Sequence, residues 1–148
     1  MPIVRCCVRI HTSPMDARSN ADVFIVEDSP AVRDSLVDLV NSIDGARVVG
    51  VADNPNAAIK TILARRPKCV VLDFQLIGGT AIDVLRAVRE PLHDMVVIVL
   101  TNYPEPGYRR ACMNAGADWF LDKSTQFEEV QTIVSGLASP RTTSVGCT

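Results

Sequence analysis

The sequence has few aromatic residues, little net charge and no long hydrophobic run. Aromatic residues make up 5% of its 148 residues, and its formal net charge at pH 7 is −2. Its longest apolar segment, Met95 to Leu100, is far shorter than the roughly 20 residues of a membrane-spanning helix. The charge also gives no sign of a basic face that could neutralise nucleic-acid phosphates. We therefore expect neither a membrane nor a nucleic-acid partner.

The cysteines lack the spacing of a zinc site and cannot all pair in disulfides within one chain. There are five of them, an odd number: Cys6, Cys7, Cys69, Cys112 and Cys147. Cys69 lies in a strand pattern and Cys112 in a helix pattern, which is typical of small buried residues in a reducing compartment. The N-terminus also lacks the apolar stretch and cleavage site of a secretory signal. We expect a cytoplasmic protein.

The two ends of the chain differ from its centre. Residues 1–20 become polar after a short apolar start and contain Pro14, so we expect a poorly ordered N-terminal extension. Translation could begin at Met1 or at Met15. Residues 139–148 form a short tail rich in serine and threonine. The remaining residues, 21–138, are enough for one domain with a single core.

Strand and helix patterns alternate five times in the central region. The strand patterns cover residues 22–27, 46–52, 68–73, 95–101 and 117–122. Each is followed by a helix pattern; the first two begin after Ser29 and Asn54, and the others cover about 81–90, 106–114 and 126–137. The last begins with a predicted capping box, Thr125 to Glu128. Gly78 and Gly79 predict a turn before the third helix.

The strand segments are nearly continuous apolar runs, such as Val96 to Leu100. Strands with this composition are typical of a parallel sheet covered by helices on both faces. We therefore predict an α/β fold, a doubly wound five-stranded parallel sheet of the flavodoxin-like kind. The predicted strand order is 2-1-3-4-5.

Groups able to handle a phosphoryl transfer stand where four of the predicted strands end. Glu27 and Asp28 end the first strand, Asp73 the third and Thr101 the fourth, and Lys123 follows the fifth. The carboxyl ends of neighbouring parallel strands converge on one crevice, where ligands bind. The sequence therefore predicts that these five side chains meet at one edge of the sheet.

Three carboxylates in one crevice favour a bound cation. Two like charges about 4 Å apart repel by roughly 4 kcal/mol at an effective dielectric constant near 20. Because all the ligands are oxygens, Mg²⁺ (or Mn²⁺) fits the site. A metal beside Asp73 would make that carboxylate a usable nucleophile toward a phosphoryl donor. Lys123 and Thr101 could then bind the phosphoryl oxygens.

Four segments, spread over about residues 22–137, resemble the receiver domain of two-component response regulators. They match its opening acidic pair, its phosphoacceptor strand, its switch hydroxyl and its closing lysine motif. They stand in order, each at the end of a predicted strand, and they are Phe24 to Pro30, Val71 to Asp73, Leu100 to Asn102 and Ala115 to Ser124.

The resemblance implies a role for each site residue. Asp73 would be the phosphoacceptor and, with Glu27 and Asp28, a metal ligand. The backbone carbonyl of Gln75 would complete the metal shell.

Three further residues would act on or after phosphorylation. Lys123 and Thr101 would bind the phosphoryl group. Thr101 and the aromatic Phe120 would form the switch, with Phe120 turning inward when the hydroxyl moves.

The function implied is that of a single-domain response regulator, phosphorylated by a histidine kinase and read by a downstream protein target. As an alternative, it could be a phosphorelay intermediate that passes its phosphoryl group to a histidine phosphotransfer protein. Whether phosphorylation causes dimerisation is open. We expect no separate catalytic output domain, so the protein would not be an enzyme in the usual sense.

Two other classes of protein, which use an aspartyl phosphate or bind a phosphate-containing cofactor, fit the sequence less well. A phosphatase of the haloacid-dehalogenase type would need a second acid after Asp73, where Phe74 and Gln75 stand. A flavodoxin-like cofactor binder would need a hydroxyl- and glycine-rich loop after the first strand. Glu27 and Asp28 would repel the phosphate of that cofactor.

Overall fold

A computed structural model of the protein describes residues 20–138. The strands are β1 (Ala21–Val26), β2 (Ala46–Ala52), β3 (Cys69–Asp73), β4 (Gln75–Leu76), β5 (Gly79–Thr80), β6 (Val96–Thr101) and β7 (Trp119–Asp122). The helices are α1 (Pro30–Asn41), α2 (Pro55–Arg65), α3 (Ala81–Val88), α4 (Pro106–Asn114) and α5 (Glu129–Ala138). Three features predicted from the sequence lie outside the described residues: the N-terminal extension (except Asn20), the alternative start at Met15 and the C-terminal tail.

Five parallel strands form the main sheet, in the order β2-β1-β3-β6-β7. Counted along the main sheet alone, this is the predicted order 2-1-3-4-5, which is confirmed. The register aligns the ends of the strands: Leu72 lies opposite Val26 and Val99, and Thr101 lies opposite Asp122. The residues that follow these strands therefore emerge at the same edge.

Helices cover both faces of the sheet, as the continuous apolar runs predicted. Successive strand residues point to opposite faces, so Phe24 and Val26 pack in one buried cluster with residues of α2 and α3. Val23 and Ile25 pack in the other cluster with residues of α1 and α5. Both faces of β1 are buried, and burial of apolar surface stabilises the folded state by about 25 cal/mol per Å². The central strands therefore form a rigid support for the residues at their carboxyl ends.

Side chains cap the helices that begin near the site. The Ser29 hydroxyl accepts a hydrogen bond from the Val32 backbone N–H at 3.4 Å, and Pro30 occupies the first helical position. Thr80 and Asp83 form a capping box at the start of α3. The Ser29 cap was predicted from the sequence, and the capping box of Thr80 and Asp83 was not.

The predicted start of the last helix was wrong. Helix α5 begins at Glu129, and the capping box proposed for Thr125 to Glu128 is not formed. The Asp122 carboxylate instead accepts hydrogen bonds from the Ser124 backbone N–H and hydroxyl at 2.9 and 2.7 Å. These bonds hold the pKa of Asp122 below its usual value. The chain therefore makes a local turn after β7 before the helix can begin.

The predicted glycine turn is part of a small hairpin. Strands β4 and β5 pair antiparallel, with Gln75 opposite Thr80. Gly78 has φ +89° between them, a conformation that favours glycine. This hairpin carries the chain from the end of β3 to the start of α3.

Within residues 20–138, no helix has the length and apolar character needed to cross a membrane.

A glycine in β2 should be required for packing against β1. A Cβ atom at Gly50 would lie 2.8 Å from Cε1 of the buried Phe24 ring. We expect Gly50→Ala to lower the free energy of unfolding by about 1–3 kcal/mol, the usual cost of overpacking a core. Urea unfolding followed by circular dichroism measures this change.

Gly136→Ala is the matched control. Among the described residues, no heavy atom outside the backbone of α5 itself lies within 4 Å of a Cβ at Gly136, so that variant should be neutral or more stable by up to about 1 kcal/mol. Equal destabilisation by both substitutions would contradict the packing argument.

Candidate functional site

The carboxyl ends of the strands open into one polar cleft of about 650 Å³. Six of the seven predicted site residues line it: Glu27, Asp28, Asp73, Gln75, Thr101 and Lys123. The cleft lies where the chain leaves β1 and β3, the two strands at which the winding direction reverses. This is the edge at which ligands bind in open parallel sheets.

Three carboxylates form the acidic part of the cleft. One oxygen from each of Glu27, Asp28 and Asp73 lies within 4.8 Å of the others. Glu27 is 1% exposed and Asp73 is 6% exposed, so water screens their mutual repulsion poorly. Oxygen ligands at this spacing fit a hard divalent cation such as Mg²⁺.

A lysine bridges two of these carboxylates. Nζ of Lys123 lies 3.0 Å from Oε1 of Glu27 and 3.0 Å from Oδ1 of Asp73. Burial lowers the pKa of Lys123, but the pairing with Glu27 and Asp73 outweighs it, so the pKa is raised above its ordinary value. The ammonium is therefore charged at neutral pH. A single ammonium facing three carboxylates leaves the cluster short of positive charge.

One oxygen of the cluster lacks a hydrogen bond. Oε1 of Glu27 is buried and, despite its distance to Lys123, accepts no well-oriented hydrogen bond from the described residues. The ion pair with Lys123 offsets part of the cost of burying this oxygen, and a cation or a bound water would offset more of it.

The environment of Asp73 disfavours its charged form. Burial, and after it the nearby charge of Glu27, raise the pKa of Asp73 to about 6, although Lys123 acts in the opposite direction. A cation in the cleft would favour the charged form of Asp73 and so lower its pKa.

Backbone contacts fix the turn after β1. The second carboxylate oxygen of Glu27 accepts a hydrogen bond from the Ser29 backbone N–H at 3.1 Å. The Arg33 guanidinium donates to the Glu27 backbone carbonyl at 3.2 Å. The sequence analysis missed Arg33, because nothing in its local pattern distinguishes it from a surface arginine on α1.

Thr101 and Phe120 lie in different surroundings. Thr101 is 1% exposed, and its hydroxyl oxygen accepts a hydrogen bond from the Tyr103 backbone N–H at 2.9 Å. Phe120 does not line the cleft; it is 5% exposed and packs in the core cluster on one face of the sheet. The Arg109 guanidinium lies 5.9 Å from the centre of the Phe120 ring. The structure thus brings six predicted residues together and places the seventh beside helix α4.

A stacked aromatic pair borders the cleft and was also missed. The rings of Phe74 and Tyr108 have centroids 4.7 Å apart and an interplanar angle of 25°. These residues are 34 positions apart, so no local sequence pattern could have paired them. Phe74 directly follows Asp73, and Tyr108 lines the cleft.

Known proteins resemble the chain over most of its length. Residues 23–135 match the family model of the response regulator receiver domain. The chain is 30% identical over 119 residues to the DNA-binding transcriptional activator DevR/DosR of Mycobacterium tuberculosis, an alignment covering 80% of this chain and 55% of that protein. It is 35% identical over 103 residues to a protein-glutamate methylesterase/protein-glutamine glutaminase of Syntrophus aciditrophicus, covering 68% of this chain and 29% of that protein.

Solved structures of receiver domains also resemble the chain. The signal receiver domain of the response regulator NarL from Mycobacterium tuberculosis superposes with a TM-score of 0.74 at 28% identity. That match covers 81% of this chain and 97% of the other. The fold prediction is therefore confirmed by a relative as well as by the strand order.

The curated relatives extend beyond the matched region. The chain spans about half the length of the transcriptional regulators it matches. Because several relatives are named as DNA-binding regulators, our expectation that nucleic acid is excluded as a partner is not supported. The methylesterase relatives likewise leave the expected absence of an enzymatic output domain without support.

The match to the family model, the strand order and the resemblance to solved receivers lead to one conclusion: the chain belongs to the response regulator receiver domain family of two-component systems.

Proposed function

We propose that Asp73 accepts a phosphoryl group from a histidine kinase or a histidine phosphotransfer protein in a metal-dependent reaction. The observation that carries this proposal is the position of the Lys123 ammonium, 3.0 Å from both Asp73 and Glu27. A cation already placed beside the nucleophile complements the charge that develops on a transferring phosphoryl group.

The reaction needs the ionised form of Asp73. One of its carboxylate oxygens attacks phosphorus as the bond to the donor breaks, which leaves an aspartyl phosphate. Lys123 binds a phosphoryl oxygen, and the Thr101 hydroxyl donates a hydrogen bond to another. The core holds the end of β7 in place just before Lys123, so its ammonium needs little reorganisation to bind a phosphoryl oxygen.

Four groups would hold the metal: the carboxylates of Glu27, Asp28 and Asp73, and the backbone carbonyl of Gln75. Mg²⁺ or Mn²⁺ at this position supplies positive charge next to the phosphoryl oxygens. The short distances among the three carboxylates support this assignment. Glu27 also pairs with Lys123, and it would hold the metal directly or through a water molecule.

Phosphorylation would signal by changing the surface near α4 and β7. The modification adds about −1.5 to −2 charges at neutral pH. Movement of Thr101 toward the new group would disturb its hydrogen bond from Tyr103 and allow Phe120 to repack, which shifts the population between two states. The contact of Phe120 with Arg109 links this switch to an exposed helix. We propose that a downstream protein target reads that surface.

Incubation with Mg²⁺ and acetyl phosphate should add one phosphoryl group to the protein. We expect the adduct to disappear in Asp73→Asn and in the presence of EDTA, because the nucleophile or the metal is then missing. Intact mass spectrometry measures the adduct directly.

Asp94→Asn is a matched control for that experiment. The Asp94 side chain is 99% exposed and lies outside the cleft, so this variant should be phosphorylated like the wild type. An adduct that persists in Asp73→Asn would overturn the assignment of the acceptor.

The raised pKa of Asp73 should appear in the pH dependence of stability. In metal-free protein its folded-state pKa is about 6, against 3.8 for an ordinary aspartate, so the folded state takes up a proton as the pH falls through this window. Relative to Asp73→Asn, the wild type should gain up to about 3 kcal/mol of unfolding free energy between pH 7 and pH 4. Urea unfolding with EDTA at several pH values measures this gain. A difference that stays constant with pH would contradict the burial argument.

A further inference from the structure

Helix α4 is attached to the domain by few contacts. Of its nine residues, Cys112 is the buried one, and the N-cap residue Glu105 makes no capping hydrogen bond through its side chain. Helix α3, by contrast, buries four of its eight residues. The position of the first turn of α4 must therefore depend on contacts made by partly exposed side chains.

The aromatic pair supplies one of these contacts. Tyr108 lies in the first turn of α4 and stacks on Phe74, with ring centroids 4.7 Å apart. Such an aromatic pair stabilises the folded state by more than the burial of its apolar area alone would. Arg109, the next residue, supplies a second contact by donating to the Phe120 backbone carbonyl at 3.4 Å.

Phe74 is a fixed point for this contact. Its ring is 4% exposed. Its backbone N–H donates to the Leu100 carbonyl at 2.9 Å, and its carbonyl accepts from the Ala81 N–H at 2.9 Å. Since Phe74 directly follows Asp73, the stack joins α4 to the residue next to the phosphoacceptor.

Tyr108 also forms part of the cleft wall. Its side chain lines the same cleft as Asp73 and Thr101, and it is 36% exposed. The ring therefore forms part of the wall on the α4 side of the cleft. Loss of the ring would widen the cleft and free the first turn of α4 together.

We propose that the stack of Tyr108 on Phe74 holds the first turn of α4 against the acceptor segment and so prolongs the life of the phosphoryl group on Asp73. Tyr108 is thus a positioning residue, which acts through Phe74 and by narrowing the cleft. This inference rests on the proposed phosphorylation of Asp73.

The step that the stack slows is hydrolysis of the aspartyl phosphate. The oxygen of a water molecule bonds to phosphorus, and the bond between phosphorus and the Asp73 oxygen breaks. Asp73 returns as a carboxylate, inorganic phosphate leaves, and the protons of the water pass to the phosphate and the solvent. No other reactant is needed, so the rate depends in part on how water reaches the phosphorus atom.

Dephosphorylation of Tyr108 variants tests the proposal. Each protein is phosphorylated with acetyl phosphate and Mg²⁺, desalted, and followed by intact mass spectrometry. We expect Tyr108→Leu, which keeps an apolar side chain but no ring, to shorten the half-life by about fivefold, in line with the strength of an aromatic pair. Tyr108→Phe should restore the half-life to within about twofold of the wild type, since it keeps the stack.

Two controls separate positioning from general stability. Arg110→Ala removes a neighbouring exposed side chain of α4 that does not line the cleft, and its half-life should match the wild type. Thermal melts should show all variants folded at the assay temperature. Phe74→Leu should shorten the half-life as Tyr108→Leu does, and the double variant should be no worse than either single one.

Several results would overturn the proposal. A half-life for Tyr108→Leu within about twofold of the wild type would show that the ring does not matter. A half-life for Tyr108→Phe as short as that for Tyr108→Leu would assign the effect to the hydroxyl instead of the stack. A wild-type protein that takes up no phosphoryl group would contradict the proposed function itself, and this inference with it.

Discussion

The ion pairs of Lys123 with Glu27 and Asp73 are the interaction on which the rest of the site depends. Taking charges out of water is costly, and a buried carboxylate without a partner is more costly still. One ammonium held 3.0 Å from both carboxylates offsets part of this cost. With Asp28 beside them, the cluster keeps an excess of negative charge. That excess would favour a bound divalent cation.

The sheet makes this arrangement possible. Glu27, Asp73 and Lys123 follow strands that are far apart in the chain, and the order β2-β1-β3-β6-β7 brings their ends to one edge. Both faces of the central strands are buried, so the strand ends cannot shift easily to relieve the repulsion. The stability of the core therefore supports a site that would be unfavourable on a flexible loop.

Much of this could be predicted from sequence, because it depends on short local patterns. Apolar runs that end on Glu27, Asp73 and Thr101 indicated the strands, their order and the acidic cleft. The start of α5 was mispredicted, since the Asp122 carboxylate forms a turn that competes with the expected cap. The contact of Tyr108 with Phe74 depends on how α4 packs, which no local pattern records. The roles assigned to the site residues, Gln75 and Phe120 included, stay predictions.

The family is established, and the chemistry of the cleft is the central claim to test. Thermal unfolding with Mg²⁺ and beryllofluoride, a mimic of a phosphoryl group on a carboxylate, is the most direct measurement. A ligand that binds the folded state raises the melting temperature. We predict a rise for the wild type that requires both reagents and is lost in Asp73→Asn. An unchanged melting temperature for the wild type, or an equal rise in Asp73→Asn, would contradict it.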